Sequence, residues 1–463
     1  MTFRARITSR IRTGGVSIGC AATLLGALSA GCGDLLEVSD PDIVRPEDLT
    51  DEAGLRARRA GAFGDFAKAY GGDATPSDAD EGQILATGLL GDELKKTGTD
   101  PQRIAWDARQ LPNTSGHLST YFEALHRARQ AAESTAAVWA AAEGMADAME
   151  VVAEMNNLAA FISIFLGEAF CSGVPVSGLT PAGDIEYGEP LTTAQLFERA
   201  DQHFDEALSA AQSSGNADLE NLARIGKGRA LLNLAQFSEA AAAVAPVPTA
   251  FRYDVRYSTN TRRQENGVYY ANVTLERWSV VDGEGGNGID YLGAYENGDP
   301  RTPFVVAPDS VGFDQTSGTQ YYQQLYTERS APIPLATGIE ARLIEAEGAL
   351  NAGDLATFEQ IHNTLRAGLD VPAVAPVDVA SMSAEERVDF HFRERALWMW
   401  LTGHRLGDMR RLVRQYGRAA ESVFPSGQYF RPQFPTYGAD TNFPVPVRET
   451  NNPNFTQCID RNA

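Results

Sequence analysis

The sequence predicts a mainly α-helical protein, organised as a scaffold of tetratricopeptide-like helical repeats with long, loop-rich insertions. Several long segments repeat apolar residues at spacings of three and four, which is the spacing of one helix face. Two pairs of these segments share one turn pattern, and residues 246–336, rich in Pro, Gly and aromatic residues, interrupt the helices. Hydrophobic residues make up 43% of the chain and charged residues 22%, as is ordinary for a globular protein.

The helices are predicted from amphipathic spacing, taken in chain order. Leu196, Ala200 and Phe204, for example, lie on one face of a helix that the segment Ser213-Ser-Gly-Asn breaks. The same reasoning places helices within residues 118–168, and over residues 195–212, 217–237, 238–244 and 338–369, the last with a break at Ala352-Gly-Asp.

The repeat character rests on two helix–turn–helix units. Leu232-Asn233 is followed at offsets of four and three by Phe237 and Ala240, and Leu350-Asn351 is followed at the same offsets by Leu355 and Phe358. Tetratricopeptide units have this form and stack at roughly 34 residues each. Because the two units are far apart in sequence, we predict a discontinuous scaffold.

Residues 246–336, called the insertion below, separate these two units. They contain the Gly-rich stretch Gly283–Gly288, interpreted as a flexible loop, and the alternating segment Val268–Val273, which predicts a short strand. A loop region of this length inside a compact domain is usually functional.

The N-terminus predicts a secretory signal. Four Arg precede a short apolar run from Val16 to Leu28, and the following Ser29-Ala30-Gly31-Cys32 resembles a bacterial lipobox. We therefore predict a signal peptide over residues 1–31 and a single mature domain over residues 32–463, lipidated at Cys32. The alternative is ordinary secretion with an incidental cysteine.

The net charge of the mature chain limits the classes of partner that it can bind. Without residues 1–31 the chain keeps 35 Lys and Arg against 61 Asp and Glu, which is a net charge of −26. A surface this acidic repels phosphate backbones and anionic lipid headgroups. Nucleic acid is therefore excluded as a partner. Membrane attachment is expected through acyl chains on Cys32.

Two cysteines remain after Cys20 leaves with the signal peptide and Cys32 takes lipid. Cys171 and Cys458 form an even pair in an oxidising compartment, which favours a disulfide. Two isolated buried thiols are the alternative.

The sequence carries no motif for catalysis or for a cofactor. Gly283–Gly288 fits G-x-G-x-x-G, but carboxylates at Asp282 and Glu284 flank it and no helix is predicted after it. The six His form no H-E-x-x-H motif, and the chain has no C-x-x-C and no G-x-S-x-G. We expect no metal, no cofactor and no enzymatic activity. The alternative, a surface glycoside hydrolase or peptidase, needs two carboxylates about 5–10 Å apart in an aromatic cleft.

The C-terminal third resembles a known family. Phe392–Leu412 is similar to a helix of the SusD/RagB family of outer-membrane nutrient-binding lipoproteins, and Phe443–Phe455 resembles that family's closing segment. Cys32–Val38, Gly173–Pro175 and Leu343–Glu347 resemble three further family stretches in the same order. Within Phe392–Leu412 the matching positions are Glu394, Arg395, Gly403, Arg405, Asp408 and Arg411.

The resemblance implies a lipid-anchored protein on the cell surface, at the outer membrane, which captures an oligosaccharide or peptide and delivers it to a SusC-like TonB-dependent transporter. The motif residues themselves are expected to be structural. Arg395 and Arg405 are expected to pair with Glu345, Glu347 or Asp408, and Trp398 and Trp400 to pack in the core.

A glycan site needs exposed aromatic rings beside polar side chains. The insertion has that composition, and its candidates are Trp278, Tyr291, Tyr295, Asn287, Asp290, Asn297 and Arg301, with Trp106 as a further wall. Alternatively, these aromatics pack the insertion against the scaffold, and the protein is a structural subunit that seals the transporter. The sequence does not separate a glycan ligand from a peptide.

Overall fold

The computed structural model describes residues 51–75, 82–180, 184–309 and 311–463. The predicted signal peptide and the lipidation site at Cys32 lie outside these residues. The compact unit that the structure describes runs from Ala53 to Ala463.

The described chain is mainly helical, as predicted. Its α-helices are α1 (Glu52–Gly71), α2 (Gly82–Leu90), α3 (Pro101–Asp107), α4 (Gly116–Ala140), α5 (Ala148–Ala169), α6 (Thr193–Ser214), α7 (Ala217–Asn233), α8 (Phe237–Val244), α9 (Gly267–Tyr269), α10 (Tyr291–Glu296), α11 (Gly338–Ala352), α12 (Leu355–Ala367), α13 (Ala384–Trp398), α14 (Arg405–Arg414) and α15 (Ala420–Val423).

Short antiparallel strand pairs accompany the helices. The strands are β1 (Leu94–Lys96), β2 (Val174–Pro175), β3 (Gly178–Leu179), β4 (Ile185–Glu186), β5 (Pro190–Leu191), β6 (Arg252–Val255), β7 (Trp278–Val280), β8 (Phe304–Val306), β9 (Tyr321–Gln323) and β10 (Ile333–Thr337). They pair as β1 with β7, β2 with β5, β3 with β4, β6 with β10 and β8 with β9.

The scaffold is a stack of neighbouring helices. Helices α4 to α8 pack against one another in sequence order, α8 packs against α11, and α11 packs against α12. The chain therefore leaves the stack after α8, forms the insertion, and returns to the same stack at α11. Strands β6 and β10 pair antiparallel and bring the two ends of the insertion together. The predicted discontinuous repeat scaffold is confirmed.

Side-chain caps set the predicted helix boundaries. Thr192 and Gln195 form a capping box at the start of α6, and Gly215, with a φ of 73°, ends the helix in the left-handed conformation. Gly353, with a φ of 75°, ends α11 in the same way, and the Asp354 side chain then caps α12. The predicted breaks thus follow from local residue chemistry.

The core is centred on α5. In the part of the chain that the structure describes, α5 is the one helix long and apolar enough to cross a membrane, and most of it is buried in the protein. It packs against α4, α6 and α7, and its Phe165 ring stacks on Tyr70 of α1 at 5.5 Å. Its apolar composition is therefore that of a core helix.

The predicted strand over Val268–Val273 is wrong. These residues continue α9 into a π-helical turn, because the Asn266 side chain accepts a hydrogen bond from Tyr269 N at 3.0 Å and starts a helix. Asn272 is buried, and its side chain donates to the carbonyl oxygens of Trp278 and Tyr321. Tertiary hydrogen bonds of this kind override the local alternation.

The Gly-rich stretch is an ordered turn whose backbone packs closely against another segment. Gly285 has a φ of 60°, and a Cβ atom placed there would lie 2.4 Å from Ser426 N. Glu284 beside it is buried. The interpretation of this stretch as a flexible loop is corrected accordingly.

The predicted disulfide between Cys171 and Cys458 is confirmed. The two Cα atoms are 6.0 Å apart across a separation of 287 residues. Hydrogen bonds accompany the bridge, since Ile459 N donates to Ser172 O at 2.8 Å. The bridge therefore ties the C-terminus to the segment after α5.

The family-like residues of α13 and α14 form a buried ion-pair network. Arg395 Nε lies 2.9 Å from Asp408 Oδ2, and Arg411 contacts both Asp408 and Glu347. The predicted structural role of Arg395 is confirmed. The predicted partners of Arg405 are wrong, because it binds Asp92 after α2, with Nε 2.6 Å from Oδ1.

The two neighbouring tryptophans differ in burial. Trp400 is buried, as predicted, and stacks on Tyr291 with ring centroids 6.0 Å apart. Trp398 is only half-buried, with the Arg301 guanidinium 5.1 Å from its ring centroid.

Candidate binding surface

The structure buries several residues predicted to face a ligand. Trp106 on α3 is fully buried, and its ring lies edge-on to Phe443 with centroids 5.1 Å apart. Its predicted role as a wall of the site is wrong. The ring of Trp106 packs α3 against the C-terminal segment that contains Phe443.

Trp278 and Tyr291 are also buried, so their predicted roles as stacking platforms are corrected. Trp278 lies on β7, which pairs with β1, and Lys96 Nζ covers its ring at 3.1 Å from the centroid. The Tyr291 hydroxyl donates to Asp92 Oδ1 at 3.3 Å. Both rings attach the insertion to the scaffold.

Arg301 and Asn287 have structural partners. The Arg301 guanidinium is buried between Asp299 and Glu394, at 2.6 and 2.8 Å. The Asn287 side chain donates to the backbone oxygens of Glu421 and Phe424. Neither group is available to a ligand in this structure.

Tyr295, Asn297 and Asp290 are the predicted residues that remain exposed. Tyr295 is 38% exposed and packs edge-on against Phe304, with centroids 5.4 Å apart. The Asn297 side chain donates to Gly293 O at 2.7 Å and ends α10. These residues lie around one short helix, and they stay a prediction.

The exposed aromatic side chains instead point to a different pair. Within the described ranges, Phe313 of the insertion is 48% exposed and Phe430 after α15 is 42% exposed. Single exposed apolar residues need no explanation, whereas an exposed apolar patch bordered by polar residues is a candidate interaction site. The Phe313–Phe430 surface is defined here as these two rings with Lys95, Arg277, Asp314 and Arg431.

One ion pair joins the two halves of this surface. Arg431 Nη1 lies 2.7 Å from Asp314 Oδ2, and both side chains are largely buried. Asp314 is held in turn by Ser317, whose hydroxyl donates to it at 2.8 Å. The residue that follows Phe430 is thus fixed to the residue that follows Phe313.

The loop that carries Phe313 packs closely against the end of β1. Phe313 N donates to Glu276 O at 3.1 Å, and Asp314 N donates to Thr97 O at 2.9 Å. A Cβ atom at Gly312 would lie 2.5 Å from the Thr97 Cβ, so only glycine fits this approach. The ring of Phe313 is therefore presented on a rigid base.

Cations flank both rings. Arg277 Cζ lies 4.6 Å from the Phe313 centroid, and Arg431 Cζ lies 5.3 Å from that of Phe430. Lys95 Nζ is 5.9 Å from the Phe430 ring and donates to Ser317 O at 3.0 Å. Burial lowers the pKa of Lys95, against the attraction of nearby carboxylates. The surface offers apolar ring faces bordered by hydrogen-bond donors.

A buried pair of acids supports the segment that carries Phe430. The Tyr429 hydroxyl donates to Asp107 Oδ2 at 2.8 Å, and the Tyr437 hydroxyl donates to Glu284 Oε1 at 2.9 Å. Burial raises the pKa of Asp107 to about 6, and burial together with the charge of Asp107 raises the pKa of Glu284 well above its usual value. Burial of the pair therefore favours the protonated form of both acids relative to exposed carboxyl groups.

A separate open cleft of about 960 Å³ lies between α1 and β6. Tyr253 and Tyr257 line it, but its cations are largely engaged: Arg59 Nε lies 2.7 Å from Glu154, and Arg252 Nε lies 2.7 Å from Asp254. Its aromatic rings are partly buried, so the Phe313–Phe430 surface is the better candidate for stacking.

Sequence reasoning missed both phenylalanines. The detectable signal was an aromatic residue inside a turn-rich segment, Val-Gly-Phe-Asp for Phe313 and Gln-Tyr-Phe-Arg for Phe430. The high content of aromatic residues in the insertion favoured Trp278 and Tyr291 instead. Such a high content is as typical of rings packed in a core as of rings that bind a ligand. Over the described residues, no group of three or more His, Cys, Asp or Glu side chains could hold a metal ion.

The fold is similar to several solved structures. A SusD superfamily protein from Bacteroides thetaiotaomicron matches over 90% of this chain and 100% of its own, with a TM-score of 0.65 and 13% identity. A SusD-like carbohydrate-binding protein from Bacteroides vulgatus matches over 77% and 82%, with a TM-score of 0.58 and 14% identity. A laminarin-binding SusD-like protein matches over 88% and 99%, with a TM-score of 0.59 and 15% identity.

No family model matches the sequence, and no curated protein matches it. The likeness is therefore one of three-dimensional structure, and it covers the helical scaffold together with most of the chain around it. Within that arrangement the buried arginines of α13 and α14 occupy the segment whose sequence resembles the family. The chain has the fold of the SusD superfamily.

Proposed function

We propose that this protein captures an oligosaccharide at the cell surface, as a lipid-anchored protein of the outer membrane, and delivers it to a partner TonB-dependent transporter of the SusC type. The capture step rests on the Phe313–Phe430 surface, where two exposed rings are fixed by the Arg431–Asp314 ion pair and bordered by cations. Two structural neighbours are described as carbohydrate-binding and laminarin-binding, which supports a glycan as the ligand.

The chemistry of the surface suits a sugar ring. A pyranose presents C–H groups on its faces and hydroxyls at its rim, so its faces stack on aromatic rings while its hydroxyls meet polar side chains. Phe313 and Phe430 supply the stacking planes. Arg277 and Lys95 supply donors beside them.

Anchoring and delivery rest on other observations. The basic N-terminus, the apolar run and Ser29-Ala30-Gly31-Cys32 support lipidation after export. The resemblance of Phe392–Leu412 and Phe443–Phe455 to the SusD/RagB family supports a transporter partner. A surface tether places the captured glycan next to the pore that imports it.

The test is calorimetric titration of the protein with a panel of oligosaccharides, including laminarin fragments, and with a panel of short peptides. We expect heat with an oligosaccharide, and an unchanged ligand when the samples are analysed afterwards. Cleavage of the ligand would replace capture by hydrolysis, and heat with peptides alone would replace the glycan by a peptide.

Matched variants locate the site. Phe313→Ala and Phe430→Ala should each weaken oligosaccharide binding, whereas Tyr253→Ala, in the cleft between α1 and β6, should leave it unchanged. The reverse result would move the site to that cleft and leave the capture function intact. Delivery is tested by pull-down of the lipidated protein from outer membranes, where a TonB-dependent transporter should copurify.

A further inference from the structure

An open cavity of about 320 Å³ lies between α13, α14, α15 and the end of the Gly-rich stretch of the insertion. The buried side chains of Phe392, Leu412 and Val423 give it an apolar wall. It is called the arginine pocket below, after its three lining arginines, which are Arg393, Arg405 and Arg418.

Two of these arginines already have carboxylate partners. Arg405 Nε lies 2.6 Å from Asp92 Oδ1, and Arg418 Nη2 lies 2.7 Å from Asp389 Oδ1. Glu385 adds a longer contact to Arg418 at 3.7 Å. The charges of both guanidinium groups are therefore balanced within the protein.

Arg393 has no such partner. It is half-buried, and within the described ranges its side chain forms no hydrogen bond and no ion pair. Asp389 precedes it by four residues on α13, which is the spacing at which an acid and an arginine pair along a helix. The Asp389 carboxylate binds Arg418 instead. The tertiary contact thus leaves one unpaired guanidinium in the lining of the pocket.

Other half-buried arginines of the described chain show the contrast. Arg342 pairs with Glu345 at 2.9 Å, and Arg366 pairs with Glu394 at 2.6 Å. The whole chain has 61 Asp and Glu against 39 Lys and Arg, so acids to pair with are abundant. An arginine left unpaired in a cavity of so acidic a protein indicates a site for an anion.

The form of the pocket narrows the anion. A guanidinium binds a carboxylate through two parallel hydrogen bonds. The apolar wall suits the C–H face of a sugar ring, and the exposed Asp389 can accept a hydrogen bond from a hydroxyl. A cavity of about 150 Å³ holds one benzene ring, so about 320 Å³ has room for a six-membered ring that carries a carboxylate.

We propose that the arginine pocket binds a hexuronic acid residue, with the carboxylate held by Arg393 and the ring against the apolar wall. The saccharide class rests on the proposed capture of a glycan, whereas the carboxylate rests on the pocket alone. The site is separate from the Phe313–Phe430 surface, because it is built on α13, α14 and α15. It would add a preference for acidic glycans to the capture function.

The test is ligand-observed nuclear magnetic resonance of the full mature chain with the methyl glycosides of glucuronic acid and galacturonic acid. We expect at least one of these uronides to bind with a Kd of about 1 mM, the affinity typical of a ligand with so few atoms. The methyl glycosides of glucose and galactose have the same rings without the carboxylate and should bind about tenfold more weakly. N-acetylglycine has a carboxylate without the sugar ring and should also bind more weakly than the uronide.

Variants of opposite sign locate the site. Arg393→Gln should raise the Kd of the uronide about tenfold, with unchanged thermal unfolding because the side chain has no partner to lose among the described residues. Asp389→Asn removes a carboxylate from the lining and releases Arg418, so it should lower the Kd about threefold. Arg448→Gln is the matched control, since it removes the same charge at a side chain that is 68% exposed elsewhere, and it should leave the Kd unchanged.

The proposal is overturned if the uronides bind no more tightly than the neutral glycosides, or if Arg393→Gln binds them as the parent does. Weaker binding by Asp389→Asn would also overturn it, and N-acetylglycine that binds as tightly as the uronides would overturn the saccharide class. Failure of the arginine pocket is distinct from failure of the capture function, because neutral oligosaccharides titrated into Arg393→Gln report on the Phe313–Phe430 surface alone.

Discussion

Arginine beside phenylalanine occurs in two settings in this protein. In the core, Arg411 Cζ lies 5.1 Å from the Phe392 ring, and the guanidinium is fully occupied by Glu347 and Asp408. On the insertion, Arg277 Cζ lies 4.6 Å from the Phe313 ring, which is 48% exposed. The same pair of groups thus serves as structure in one region and as a candidate for recognition in the other.

The difference follows from the cost of burying charge. A buried guanidinium must be paired or hydrogen-bonded, so Arg395, Arg405 and Arg411 are each tied to specific carboxylates. Because these ion pairs restrict which residues can occupy both positions of each pair, the recognisable sequence pattern of Phe392–Leu412 lies in a buried segment. An exposed ring has no such constraint, so exposed residues of the insertion can differ in identity according to the ligand without a loss of stability.

The largest expected effect is on the core side of this comparison. Arg411→Ala should lower the free energy of unfolding by about 3–5 kcal/mol, because the buried Glu347 carboxylate loses the guanidinium that pairs with it. Arg448→Ala is the matched control, since it breaks an exposed pair with Glu123 and should cost less than about 1 kcal/mol. Urea unfolding measures both, and equal losses would remove the distinction between the two settings.

The disulfide should have a somewhat smaller effect. Replacing both Cys171 and Cys458 by Ala should lower the free energy of unfolding by about 2–5 kcal/mol, because the bridge closes a loop of 287 residues. Reduction of the parent protein should produce a similar loss. A double variant as stable as the oxidised parent would contradict the stabilising role of the bridge.

Substitutions in the Phe313–Phe430 surface are expected to weaken ligand binding and to leave the free energy of unfolding unchanged. Phe313→Ala should raise the Kd for an oligosaccharide about tenfold, as the loss of one aromatic anchor does, with little change in unfolding. Ile459→Ala removes a residue that is 59% exposed elsewhere and serves as the control. Titration calorimetry checks both, and a Phe313→Ala variant that binds normally but unfolds early would assign this ring to structure.

The last prediction concerns a pH dependence of stability that arises in the core. Burial raises the pKa of Glu93 to about 8, although its carboxylate accepts a hydrogen bond from Leu401 N at 2.8 Å. The folded state therefore holds a proton that the unfolded state releases above about 4.5, so stability falls as pH rises from about 4.5 to about 8.

Glu93→Gln mimics the protonated acid and should flatten this part of the stability curve. Its stability relative to the parent should increase between about pH 5 and about pH 8, as measured by urea unfolding at a series of pH values. Glu385→Gln, at a residue whose side chain is 83% exposed, is the control. Parallel curves for Glu93→Gln and the parent would show that Glu93 ionises normally in the fold.

The sequence by itself determined the parts of this protein that follow from local rules. Helical spacing and cap residues such as Thr192, Gly353 and Asp354 act within a few residues of the chain, so helix positions and breaks were predictable. The Cys171–Cys458 bridge was predictable from the number of cysteines and the oxidising compartment. The structural role of Arg395 was predictable from the family-like pattern of its own segment.

Only the tertiary structure decided which aromatic rings face solvent. Trp278 and Phe313 belong to the same insertion and have similar chemistry, yet β1 and Lys96 cover the first while a tight loop at Gly312 exposes the second. Exposure depends on neighbours that are distant in sequence, and the pairing of Arg405 with Asp92, 313 residues away, was hidden for the same reason. Local patterns specify the elements, whereas burial is a property of how those elements meet.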